Sequence, residues 1–109
     1  MLNMFKSNVM EYKNGWLLGN FSPALIQTND FEVCVKSFKV GDCEASHYQV
    51  IATEITVVLS GKVRMGEVLL TEDEILVVEP GEVIDFEALT DCKVLGIKFP
   101  SLPDDKVTV

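Results

Sequence analysis

The chain's single histidine, His47, is followed by Gln49 and Glu54, and that spacing restricts the fold more than any other feature. Side chains two positions apart on a β-strand leave the same face, so His47 and Gln49 point together. Glu54 lies at an odd separation from both and leaves the other face of any straight strand. The three polar groups converge only if the chain bends across residues 50–53 and begins a second strand. Residues 41–61 are therefore expected to hold two strands that meet at one pocket.

The rest of the chain reads as scaffold of the same kind. Residues 31–40, 47–51, 54–59, 62–65, 68–70, 75–78 and 93–99 are rich in Val, Ile, Leu and Phe. Gly41-Asp42, Ser60-Gly61, Gly66-Glu67 and Pro80-Gly81 punctuate them as turns. Residues 16–18 form another short strand between Asn14-Gly15 and Gly19-Asn20. In 82–91, Val83, Phe86 and Leu89 fit a helical stripe, but the regular rhythm around them favours a strand at 83–86. Some nine short strands with no credible long helix point to an antiparallel sandwich or barrel.

One domain is expected over residues 1–109, with an arm and first strand in 1–30, the barrel in 31–99 and a tail in 100–109 that wraps the surface. Leu2, Phe5, Val9 and Tyr12 have spacings of three and four, which permits a short amphipathic helix or an arm packed on a partner subunit. In 54–59 one face carries Glu54, Thr56 and Val58, while the other carries Ile55, Val57 and Leu59. A strand apolar on its outer face needs a second cover, and this predicts a homodimer.

Charge narrows the partners. Seventeen acidic residues against nine basic ones give a net charge of −8, and Arg64 is the only arginine. This argues against nucleic acid and anionic membranes, both of which require a basic face. Neither a membrane-length apolar run nor a secretory signal is legible, so a cytoplasmic location is the expectation. Cys34, Cys43 and Cys92 agree with it, being odd in number and free of any C-x-x-C pair, and they read as free thiols.

At this point the spacing resembles the cupin superfamily, in its small, single-domain, RmlC-like form. The first cupin motif runs glycine, histidine, histidine, glutamate, glycine, and Gly41, His47, Glu54 and Gly61 fall at its places with Gln49 in place of the second histidine. In the second motif, Asp73 replaces a glycine, Glu79-Pro80-Gly81 forms the turn, and Ile84 stands where a third histidine is expected. The resemblance implies an all-β, double-stranded β-helix, a jelly-roll barrel whose motif residues point into the lumen. Asp73 is compatible with the missing glycine, because Asp enters left-handed turns more readily than most residues.

The resemblance also implies a metal, yet one histidine excludes a three-histidine site within one subunit. The remaining set is an imidazole from His47, an amide oxygen from Gln49 and a carboxylate from Glu54, suited to one divalent transition metal (Mn, Fe, Ni or Zn) or to none. Asp85 has the opposite parity to Ile84 and needs a bulge to turn inward. Without metal, His47 beside Glu54 is the best candidate for a catalytic base. Arg64 and Lys98 could offer charge to an anionic ligand, and Tyr48 reads as a packing residue.

Three functions remain open on the sequence. One is a binding cupin that takes a small polar ligand, sugar- or acid-like, on His47, Gln49, Glu54 and Arg64. The others are a metal-dependent or sugar-isomerising enzyme and a non-catalytic structural or regulatory dimer. Fold alone does not choose among them.

Overall fold

The computed structural model describes residues 4–109. Eleven strands follow two short 3-10 turns, Val9–Glu11 and Lys13–Gly15. The strands are β1 (Trp16–Gly19), β2 (Ile26–Gln27), β3 (Glu32–Phe38), β4 (Cys43–Gln49), β5 (Thr53–Ser60), β6 (Val63–Met65), β7 (Val68–Leu70), β8 (Ile75–Val78), β9 (Ile84–Ala88), β10 (Cys92–Phe99) and β11 (Lys106–Thr108). They form a six-stranded sheet in the order β2-β1-β3-β10-β5-β8 and a five-stranded sheet in the order β11-β4-β9-β6-β7. Every pairing is antiparallel except the short β1–β2 contact.

All nine strands read from the sequence are present, including the ambiguous one, which is β9. Two were not foreseen. β2 is only two residues long, and β11 belongs to the tail expected to wrap the surface. Instead, Lys106, Val107 and Thr108 pair with Gln49, Tyr48 and His47 of β4. The amphipathic helix is absent among the described residues, where Val9 and Tyr12 lie in the two 3-10 turns or between them; Leu2 lies outside the described residues. Asp73 adopts a left-handed φ of 70°, as the substitution for glycine requires.

The two inner faces divide the barrel into an apolar end and a polar end. Val58, Val63, Met65, Leu70, Phe86, Ala88, Cys92 and Val94 are buried together at the first, with Phe38 and Phe86 in tilted contact at 4.6 Å. At the other end the same inward positions carry Glu32, His47, Gln49, Glu54 and Lys98. Complete burial of Val58 and Val63 contributes roughly 1.5–3 kcal/mol each, so the apolar end anchors the fold and leaves the polar end free to carry chemistry.

Candidate functional site

The odd spacing of His47 and Glu54 is resolved by a change of sheet. β4 lies in the five-stranded sheet and β5 in the six-stranded one, so the turn between them resets the inward parity and sets the two residues face to face. The Asp105 carboxylate holds that turn. It accepts hydrogen bonds from the Ile51 N–H at 2.9 Å and the Ala52 N–H at 2.8 Å, while its backbone oxygen accepts from Val50 N–H at 3.0 Å. Asp105 is itself buried, so the tail acts as a clamp on the turn that joins the two halves of the site.

A bulge in β4 does the local positioning. Glu44 pairs with Phe86 and His47 with Ile84, so β4 spends one more residue than β9 over that interval. The extra residue turns both Glu44 and His47 toward the lumen. The bulge also supplies a fixed acceptor, for the Ala45 carbonyl lies 2.9 Å from His47 Nδ1. That bond places the proton on Nδ1 of the neutral ring and leaves Nε2 facing Glu54.

His47 Nε2 and Glu54 Oε2 are 3.7 Å apart, with the two side chains 6% and 17% exposed. This is an ion pair rather than a hydrogen bond. The Glu54 carboxylate holds the His47 imidazole above its ordinary value, aided by the Ala45 carbonyl and opposed by burial. Burial pushes Glu54 up, but His47 and Lys98 outweigh it and hold its pKa below the usual carboxylate range. Both shifts favour the charged pair.

The cavity beside this pair has a volume of about 80 Å³ and is lined by Trp16, Lys36, Glu44, His47, Glu54, Lys98 and Lys106 among others. Lys98 is the hub of its charge. On β10 it registers with Glu32 of β3 on one side and Glu54 of β5 on the other, so a carboxylate, an ammonium and a carboxylate form a row across three strands. Lys36 is paired with Glu44 at 3.3 Å. The Nζ atoms of Lys36 and Lys98 lie 5.2 and 5.4 Å from the Trp16 ring centre, within cation–π range.

The structure unites His47 and Glu54 but separates the other expected site residues. Gln49 is 3% exposed and lines an adjoining space of about 310 Å³, not the cavity between His47 and Glu54. Arg64 alternates outward between buried Val63 and Met65. There its guanidinium donates to both Asp85 oxygens at 3.0 and 3.1 Å and to Glu87 at 3.3 Å. Arg64 thus lies outside the lining of the cavity between His47 and Glu54, and it holds Asp85, which does line that cavity. Lys106 escaped the sequence reading because the tail was taken as surface. Its signal was the Lys-Val-Thr alternation after Asp104-Asp105. Glu44 was hidden by the bulge.

These residues do not fit a transition metal. Ile84 registers beside His47, at the place of a third ligand, and packs against the apolar cluster. Among the described residues no three His, Cys, Asp or Glu side chains are gathered as a metal would require. His47 and Glu54 alone fall short of the usual three or four ligands. Lys98 and Lys106 already supply positive charge to Glu54.

No protein-family model matches the sequence, and no curated protein matches it. Solved structures do. The chain is similar to an uncharacterized conserved protein with a double-stranded β-helix domain from Klebsiella pneumoniae, at 21% identity over 99% of this chain and 98% of that one, with a TM-score of 0.75. It is similar to an RmlC-like cupin protein from Desulfovibrio desulfuricans, at 22% identity over 69% and 76% of the two chains, TM-score 0.62. It is also similar to KdgF from Halomonas sp., at 21% identity over 71% and 74%, TM-score 0.64. The fold is thus the cupin double-stranded β-helix.

Proposed function

We propose that the protein binds a small organic acid at the polar end of the lumen, with its carboxylate between Lys98 and Lys106 and against the His47–Glu54 pair. One observation carries this reading. In a chain with only nine basic residues, three lysines and the single histidine line one cavity of about 80 Å³. Lys36 is already neutralised by Glu44. Asp85, which also lines the cavity, is neutralised by Arg64. Lys98, Lys106 and a protonated His47, set against Glu54 in the cavity and Glu32 beside Lys98 on the neighbouring strand, leave one positive charge, which one carboxylate balances. Coulombic attraction in such a half-enclosed site is stronger than at the surface. No metal takes part in this reading, and the unit that binds is a homodimer.

The test is a thermal-shift titration of the full chain with butyrate. Butyrate is expected to raise the melting temperature of the wild type, with or without a chelator. His47→Ala and Lys98→Ala abolish the rise, while Arg64→Ala keeps it. A rise that survives both His47→Ala and Lys98→Ala, or that disappears with chelator, overturns the reading.

A second reading is favoured by the orientation of His47. With Nδ1 held by Ala45 and Nε2 directed toward Glu54, the imidazole in its neutral form, reached above its raised pKa, is placed to remove a proton from a carbon next to a carboxyl or carbonyl group. Deuterium incorporation into a bound acid in heavy water, lost in Glu54→Gln, separates a catalyst from a receptor.

A further inference from the structure

The space beside the acid site contains a polar group that the fold leaves without a partner. Gln49 is 3% exposed, and its Nε2 is buried with no hydrogen-bond acceptor among the described residues. A buried unpaired donor costs stability, and a leucine of similar size would not incur that cost. The side chain lines the adjoining space together with Asn20, Glu32, Lys98, Ser101 and Lys106. Half a turn of the terminal amide exchanges Nε2 and Oε1, so either atom can be presented to that space.

Two features connect this space to the acid site. Lys98 and Lys106 line both cavities. The row Glu32–Lys98–Glu54 crosses from one to the other. Glu32 offers an acceptor at the far end of the row, and burial raises its pKa, with Lys98 opposing. Ser101 is occupied, since its Oγ accepts from the Asn20 N–H at 2.9 Å. Beside the Asn20 side chain at the edge of the space, there remain a buried amide donor, Gln49, and a carboxylate acceptor, Glu32, next to the shared lysines.

A ligand group that accepts from the amide and donates to the carboxylate must carry both a lone pair and a proton, and the smallest such group on an organic acid is a hydroxyl. A second carboxylate lacks the proton and meets the charge of Glu32, and a methylene satisfies neither side chain. We infer that Gln49 and Glu32 form a hydroxyl-recognising subsite next to the lysine pair, so that the ligand is a short hydroxy acid rather than a plain carboxylic acid. This rests on the acid-binding reading and specifies its ligand.

Calorimetric titration of the full chain with four-carbon acids tests it. The probes are butyrate, which has no hydroxyl, and threonate and erythronate, which carry hydroxyls on every other carbon in the two relative configurations. The wild type is expected to bind at least one hydroxy acid about tenfold or more tighter than butyrate, as a polar site does when its groups are otherwise left unpaired. Gln49→Leu brings the affinity for that acid down to the affinity of the same variant for butyrate; Gln49→Met, which keeps the length but not the donor, serves if the leucine variant does not fold. Equal affinity of butyrate and both hydroxy acids in the wild type, or a preference that persists without Gln49, overturns the subsite while the acid site stands. Failure of all three acids to bind overturns both.

Discussion

His47 and Glu54 stabilise one another's charged form, and the signs of their shifts fix a pH window. A raised histidine contributes stability that is complete below its ordinary value of 6.5 and is lost as pH rises through the raised value. A lowered glutamate contributes stability that is complete above 4.5 and is lost as pH falls through the lowered value. The pair therefore stabilises the fold most between those two ordinary values. Glu54→Gln is expected to lower the melting temperature most in that interval, by roughly 4–8 °C for each kcal/mol the pair contributes, and less toward pH 9. A deficit of equal size at pH 6 and pH 9 would assign the loss to packing instead. At this scale the sequence was legible wherever one residue acted alone. The lone histidine and the glutamate of odd parity named themselves. Lys98 was visible as a charge for an anionic ligand, but its row with Glu32 and Glu54 was not, because register between distant strands is not written in local spacing. Arg64 shows the same limit: its charge was visible, but its outward alternation beside Asp85 was not.

Elements explain why the pair meets at all. β4 and β5 belong to different sheets, and the turn between them has two N–H groups capped by a carboxylate from the far end of the chain. Removing that carboxylate leaves the N–H groups of Ile51 and Ala52 unpaired in a region where Asp105 is only 6% exposed. Asp105→Ala is expected to destabilise the protein by about 1–3 kcal/mol in urea unfolding, the usual range for stranding one buried donor, here the Ala52 N–H, since Ile51 is exposed. Asp105→Asn, which retains one acceptor oxygen, should lose less. Acid affinity should fall in both variants, because β11 also carries Lys106. A stability within 0.5 kcal/mol of wild type, the range of an ordinary surface change, would show that the tail is peripheral. The strands with clear apolar patterns were all readable from the sequence. The tail strand was not, since two prolines and an Asp pair precede it and its pairing partner lies more than fifty positions away. The bulge in β4 was equally hidden, because an extra residue in a ladder leaves no composition signal.

The whole molecule leaves one large question of surface. The outer face of β5 carries Ile55, Val57 and Leu59, and the neighbouring edge strand β8 adds Ile75 and Val77, which are 59% and 50% exposed. Among the described residues β8 pairs only with β5, which leaves its other edge open there. An apolar face next to an open edge strand favours association, and soluble proteins cover or charge such edges when they remain single. Neither charge nor proline interrupts β8, whose sequence is Ile-Leu-Val-Val. A second copy is the simplest cover, because a twofold axis places the same patch on both subunits. The chain is expected to show twice its mass of 12.1 kDa by light scattering at micromolar concentration. Ile75→Lys combined with Val77→Lys should yield a folded monomer, since both side chains point outward and leave the core of Val58 and Val63 untouched. A wild-type monomer would remove the dimer, and a dimer that survives the double substitution would move the interface to another face. Because the patch lies on the outer face of the sheet whose inner face carries Glu32, Glu54 and Lys98, acid binding in the monomeric variant also tells whether the cavity depends on the partner. Retained affinity places the whole site within one chain, whereas loss of binding without loss of fold makes pairing a condition of function.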